Sequence, residues 1–160
     1  MEKKVYGLLG EHLGHSYSPE IHAGLGQYEY RLFEMEEGEV PAFLASDRFE
    51  AINVTIPYKR DVMPFCDVID ETAKAIGSVN TLVRRPDGKL YAWNTDAAGF
   101  RWMAERAGIR LDGKKVVILG SGGASNTVVA VLEELGAKPV VISRSGENNY
   151  NNLDLHRDAA

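Results

Sequence analysis

Lys115-Val-Val-Ile-Leu-Gly-Ser-Gly-Gly-Ala124 reads as an uninterrupted apolar strand running straight into a tight glycine loop. Unbroken apolar strands belong to parallel sheets covered on both faces, because neither face then meets water. Thr127 to Leu135 has helical periodicity and stops at Gly136, and Pro139 to Ile142 is a second apolar strand. Strand, helix and strand make one βαβ unit, whose parallel strands are joined by a right-handed crossover. Gly146 to Asn152 is polar and turn-rich, and residues 153–160 add little. A dinucleotide-binding sheet contains two βαβαβ halves. Two strands and one helix cannot bury their own faces, so the expectation is a chain that stops inside its second domain.

Working back from that unit, the order of elements changes. Lys4 to Gly10 reads as a buried strand, followed by a loop in which Ser18 before Pro19 signals a helix N-cap and first turn. Ile21 and Leu25 give that helix an apolar stripe. Tyr28 to Met35 and Ala51 to Val54 read as strands, Val40 to Leu44 as a short helix, and Asp67 to Ile76 as a helix stopped by Gly77. Val79 to Arg85 and Lys89 to Trp93 flank Pro86-Asp87-Gly88, a hairpin turn. Ala97 to Ala107 is a helix closed by Gly108. The class is α/β with a boundary near Asp96 to Gly99, giving domains 1–98 and 99–160.

Composition narrows the function classes. Of 160 residues 44% are hydrophobic and 26% charged, an ordinary globular balance. A net charge of −5 without a long basic run argues against nucleic acid or an anionic membrane as the main partner. No apolar run approaches the roughly 18 residues of a membrane span. Cys66 is the only cysteine, which excludes a disulfide framework and a thiolate metal cluster and points to a reducing, cytoplasmic setting. His12, His15 and His22 match no zinc spacing and have no second ligand cluster beside them, so no metal site is expected.

Chemistry-bearing residues fall in both domains. Asn53-Val-Thr-Ile-Pro-Tyr-Lys59 ends a strand with an amide, a hydroxyl and an ammonium, and Pro57 can open a helical turn there. Those groups suit a polyhydroxylated small molecule, with Lys59 placed to move a proton; an ordinary strand-to-helix connection is the other reading. Asp96 is either a helix cap or a carboxylate within reach of Lys59, and one residue can serve both. Ser16 and Ser18 flank Tyr17, so an extended backbone would aim both hydroxyls one way, as a carboxylate needs. Asn80 is a turn residue or a hydroxyl-binding amide.

Gly120, Ser121, Gly122, Gly123 and Ala124 follow a strand and open a helix, where backbone N–H groups can meet a pyrophosphate. Ser125 stands at the third small position of that fingerprint. About 20 residues on, where an NAD site has a carboxylate, the chain has Ser143-Arg144-Ser145. An arginine pairs with a 2′-phosphate, which favours NADP over NAD.

Together, Gly14-His-Ser-Tyr-Ser-Pro19, Asn53 to Lys59, Ser78-Val-Asn-Thr81, Asn94-Thr-Asp96 and Gly120-Ser-Gly-Gly123 resemble the shikimate dehydrogenase family in order and spacing, from residue 4 to about 145. The resemblance implies an N-terminal substrate domain with a mixed sheet and helices on both faces, followed by an incomplete Rossmann-like unit. It implies an NADP-dependent oxidoreductase that reduces 3-dehydroshikimate to shikimate in aromatic amino-acid biosynthesis. Carried over, Lys59 and Asp96 are the catalytic pair, Ser16 and Ser18 bind the substrate carboxylate, and Thr55, Asn80 and Asp96 bind ring hydroxyls together with Lys59. The family's usual Asn-Arg-Thr is here Ser143-Arg144-Ser145, which keeps the arginine. A quinate-using relative with NAD and a non-catalytic ligand-binding module are the alternatives. Without the family's C-terminal part, weak substrate binding and negligible turnover are expected.

Overall fold

A computed structural model describes residues 5–159. The chain divides into two units, Met1–Thr95 and Asp96–Ala160.

The first unit is built on a six-stranded mixed sheet in the order β2-β1-β3-β5-β6-β4. β1 (Val5–Gly10) runs parallel to β2 (Glu29–Glu34) and to β3 (Ala51–Val54). β5 (Thr81–Arg84) is antiparallel to β3 and to β6 (Leu90–Trp93), and β4 (Val68–Ile69) pairs in parallel with β6. One consequence organises the unit. The C-terminal ends of β1, β2, β3 and β6 and the N-terminal end of β5 share one edge, as the registers Leu9↔Val54, Asn53↔Thr81 and Thr81↔Trp93 require.

The helices are α1 (Ser18–Leu25), α2 (Val40–Leu44) and α3 (Glu71–Ile76). A continuous core joins Leu9, Ile52, Val54 and Leu82 of the sheet to Phe43 and Leu44 of α2 and Ala73 of α3. Phe43 lies between Phe33 and Phe49, with ring centroids 4.8 and 5.1 Å apart. Arg84 donates to the carbonyls of Leu44 at 2.6 Å and Ser46 at 3.2 Å, capping the end of α2 from the sheet. The hairpin turn forms as expected, with the Gly88 N–H on the Arg85 carbonyl and φ of +80° at Gly88.

Three local expectations need correction. The span Asp67–Ile76 is not one helix: Val68 and Ile69 form β4 on the sheet edge, and α3 starts only after Asp70. The Asp70 carboxylate accepts from the N–H groups of Thr72 and Ala73, so the cap sets the start of the helix. Pro57 opens no regular helix; the Ile56–Pro57 peptide is cis and residues 56–62 form successive turns. Ser18 is the first residue of α1 rather than its cap, and the Ser16 hydroxyl accepts the Ser18 N–H at 3.2 Å.

The second unit contains the expected βαβ element. β7 (Lys115–Leu119) and β8 (Lys138–Ile142) pair in parallel from Lys115↔Lys138 to Leu119↔Ile142, and α5 (Ser125–Glu134) connects them. It follows α4 (Thr95–Arg106) and a turn at Gly108, whose φ is +67°. The β7 residues are half-buried rather than enclosed, and Leu119 is exposed. One helix covers only part of a two-stranded sheet, so an apolar groove of about 660 Å³ remains, lined by Phe100, Met103, Ile109, Val116 and Val128 among others.

Candidate active site

Each candidate in the first unit leaves the sheet at the shared edge. Beyond β1, the loop to α1 is tied down by the Leu13 N–H on Glu34 at 3.1 Å and the Ser16 N–H on the Leu13 carbonyl at 2.9 Å. This holds half-buried Ser16 and Ser18 beside the end of β2. Tyr17 has φ −84° and ψ 0°, a bridge-region backbone, so alternation along an extended segment is not what relates the two serines.

Beyond β3, the Thr55 N–H binds the Leu9 carbonyl at 2.9 Å and continues the ladder by one residue. The Thr55 methyl comes so close to Gly10 that a Cβ there would lie 2.8 Å from it and 2.6 Å from Leu13. Glycine at position 10 therefore permits the close approach of the two loops. Lys59 is half-buried, and its carbonyl accepts the Val79 N–H at 2.9 Å, which joins the β3 exit to the β5 entrance.

Asn80, at the β5 entrance, is buried, with 8% of its surface exposed. Its Oδ1 accepts from the Thr95 N–H at 2.8 Å and from the Thr81 hydroxyl at 3.0 Å, and its Nδ2 donates to Thr95 Oγ1 at 3.0 Å. Asn94, also buried, donates to the Ser78 carbonyl at 2.9 Å. Asn53 faces the same region: its Oδ1 accepts from the Tyr30 hydroxyl at 2.8 Å, and its Nδ2 approaches Thr81 at 3.4 Å. Burial pushes the Tyr30 phenol up to about 12, opposed by the Ser18 hydroxyl. Burial also lowers His22, opposed by a hydrogen bond with Asn53.

Ser16, Ser18, Thr55, Lys59 and Asn80 thus all lie beside strand ends at one end of one sheet, carried by the exits of β1 and β3 and the entrance of β5. Thr81, Thr95 and Tyr30 were not singled out from sequence. Thr81 and Thr95 lie inside the quoted Ser-Val-Asn-Thr and Asn-Thr-Asp segments, whereas nothing local marks Tyr30, whose relation to Asn53 spans 23 residues. In the second unit, Asp96 lies within the first turn of α4 rather than before it, because the helix already includes Thr95.

The candidate nucleotide residues also share an edge. The Gly120 N–H donates to the Ile142 carbonyl at 2.8 Å, placing the glycine loop beside Ser143. Gly120 has φ +113°, reserved for glycine, and a Cβ on Gly122 would meet nothing within 4 Å, so the loop lies open. Ser121 to Ala124 are exposed ahead of α5, while Ser125 and Thr127 are buried under it, as the third small position of such a loop demands. Arg144 and Ser145 are exposed next to this loop, and Ser143 closes a turn through its N–H to the Asn148 carbonyl at 3.0 Å. An open backbone loop at a helix N-terminus presents N–H groups of the kind that meet a phosphate.

Among the described residues no group of three His, Cys or acidic side chains is placed to hold a metal ion, and no helix is long and apolar enough to cross a membrane.

A mixed-sheet domain with polar groups gathered at one sheet edge, followed by a βαβ unit with an open glycine loop, places the chain among two-unit α/β proteins whose second unit begins like a dinucleotide-binding sheet. Residues 8–82 match the model of the shikimate dehydrogenase substrate binding domain. A shikimate dehydrogenase (NADP(+)) of Clostridium perfringens is 42% identical over 156 residues, 92% of this chain and 57% of the relative. Among solved structures, shikimate dehydrogenase 1 of Peptoclostridium difficile superposes with a TM-score of 0.85 at 34% identity, covering 94% of this chain and 62% of the other. Shikimate 5-dehydrogenase of Thermus thermophilus, solved with NADP(H) and shikimate, gives a TM-score of 0.81 at 31% identity, covering 94% and 60%. The chain belongs to the shikimate dehydrogenase family. It spans somewhat more than half the length of these relatives.

Proposed function

We propose that the first unit binds shikimate and 3-dehydroshikimate, and that the protein as a whole interconverts them with NADP(H), a cytoplasmic step of aromatic amino-acid biosynthesis. One observation carries this reading: Ser16, Ser18, Thr55, Lys59 and Asn80 leave three different strands at the same sheet edge. Ser16 and Ser18 supply hydroxyl donors for the carboxylate, and Thr55 and Asn80 meet the ring hydroxyls. Lys59 gives a proton to the ring oxygen during reduction and takes one back in the reverse direction, or stabilises the developing alkoxide by its charge. Asp96 is assigned to a ring hydroxyl on the family motif. Gly120, Ser121, Gly122, Gly123 and Ala124 would hold the pyrophosphate of NADP, and Ser143, Arg144 and Ser145 its 2′-phosphate. NADPH, when bound, supplies the hydride.

The site is tested by calorimetry of this chain with shikimate, repeated on Lys59→Ala and Asp96→Ala. A saturable heat that weakens about tenfold or more in both variants supports the assignment, since a lost charged hydrogen bond is worth about 1.5–3 kcal/mol. Unchanged heats overturn it. Binding by this chain is expected to be weak and turnover negligible beside a relative of full length. NADPH absorbance with 3-dehydroshikimate measures that difference, and oxidation of quinate with NAD in preference would replace the substrate assignment.

A further inference from the structure

Tyr6, His22, Tyr28, Tyr30, Asn53 and Thr81 line a cavity of about 380 Å³, and among them Tyr30, Asn53 and Thr81 are hydrogen-bonded in series. The direction of that series is fixed. A backbone N–H can only donate, so the Thr95 N–H at 2.8 Å makes the nearby atom of Asn80 its oxygen. The Thr81 hydroxyl then donates to that same oxygen and accepts from Asn53 Nδ2. Asn53 must therefore turn its oxygen to Tyr30, and Tyr30 must donate, at 2.8 Å. The phenol keeps its proton because burial pushes it up to about 12. The ring itself is held by His22, stacked at 3.8 Å between centroids and bonded through Nδ1 to the Tyr28 hydroxyl at 2.6 Å.

We propose that Tyr30 is a positioning residue: its hydroxyl anchors the far end of a one-way hydrogen-bond chain, Tyr30 to Asn53 to Thr81 to Asn80, that holds both amides in a single orientation. Both oxygen lone pairs of Asn80 face internal donors, so the amide can offer a ligand only N–H, and its partner must be an oxygen that accepts. A sugar-like hydroxyl or a ring carbonyl has such an oxygen; an ammonium does not. The chemical preference of the site is thereby set from a strand three positions away in the sheet. This inference rests on the substrate reading above only where it concerns shikimate.

The test is Tyr30→Phe, which keeps the ring and its stack on His22 and removes one hydroxyl. In the ligand-free chain, the side-chain amide resonances of Asn53 and Asn80 are expected to shift or double, while Tyr28→Phe leaves those of Asn80 in place. Resonances of both amides unchanged in Tyr30→Phe overturn the proposal. Shikimate affinity should fall about fivefold to tenfold in Tyr30→Phe. In a Thr81→Val background, where the chain is already cut, adding Tyr30→Phe should change affinity less than twofold; a full additive loss also overturns it. If the parent chain binds no shikimate, the substrate reading fails, and the ligand-free amide resonances still decide the role of Tyr30. Should Tyr30→Phe fail to fold, Thr81→Val alone must shift Asn53 and Asn80 together, and movement of neither counts against the chain.

Discussion

Asn80 does two jobs that substitution can separate. Its oxygen satisfies the Thr95 N–H and the Thr81 hydroxyl, and its NH2 reaches Thr95 Oγ1. Alanine removes all of these and leaves a backbone N–H at the head of α4 without its partner. An orphaned buried polar group costs about 1–3 kcal/mol. Thr95 is exposed, so water regains part of this, and the lower half of the range applies to the N–H. With the lost hydroxyl contacts, Asn80→Ala should destabilise the first unit by about 2 kcal/mol, a fall in melting temperature of roughly 8–16 °C for a domain of this size.

Asn80→Asp is the informative partner. A carboxylate keeps an acceptor for the Thr95 N–H and the Thr81 hydroxyl, and the Thr95 hydroxyl can reverse to donate. Its stability loss should stay within about 1 kcal/mol at neutral pH. Yet it has no N–H for a ligand, and its charge opposes an anionic one, so shikimate binding should be lost as fully as in the alanine variant. Thermal melts and calorimetry on the same samples read both quantities. An aspartate variant that melts with the alanine variant, or binds shikimate like the parent, refutes the division of roles.

Three other residues carry expectations from the same geometry. Tyr58 is buried and donates to the Met35 carbonyl at 2.7 Å, so Tyr58→Phe should lower stability by about 1–2 kcal/mol in urea melts while leaving ligand affinity alone. Burial pushes the Cys66 thiol up to about 11, so at pH 8 iodoacetamide should modify it about a hundredfold more slowly than an ordinary thiol. Because the folded chain holds that proton longer than the unfolded one, stability should decline as pH rises from about 9 to 11, and Cys66→Ala should remove that part of the decline. Gly10→Val places side-chain atoms where Leu13 and Thr55 already stand, and should both destabilise the unit by about 1–3 kcal/mol and weaken shikimate binding, read by melts and calorimetry.

Strong periodicity and punctuation made most of the fold readable. The strand, glycine loop, helix and strand from Lys115 to Ile142 are all present, as are the hairpin at Gly88 and the short helix at Val40. β4 escaped notice because two residues carry no period, and because Asp70, the true cap, lies in the middle of an apparently continuous helical run. The candidate residues were legible as residue types at strand ends, and the sheet order brings the ends of β1, β3 and β5 to one edge. What the chain could not announce was the wiring behind it. Asn53 and Tyr30 are 23 residues apart, and only the parallel placement of β2 and β3 on either side of β1 brings them together. The half-exposed β7 likewise reflects how much of the sheet is covered, a property of neighbours rather than of the strand's own composition.

The most direct measurement is a titration of the isotopically labelled chain with shikimate, followed by nuclear magnetic resonance. Saturable shifts concentrated at Ser16, Ser18, Thr55, Lys59 and Asn80, with the Asn80 side-chain amide among the largest, are the predicted result. Saturation with the strongest shifts elsewhere in the first unit, or none at millimolar shikimate, would contradict the claim that the strand ends form a single binding site.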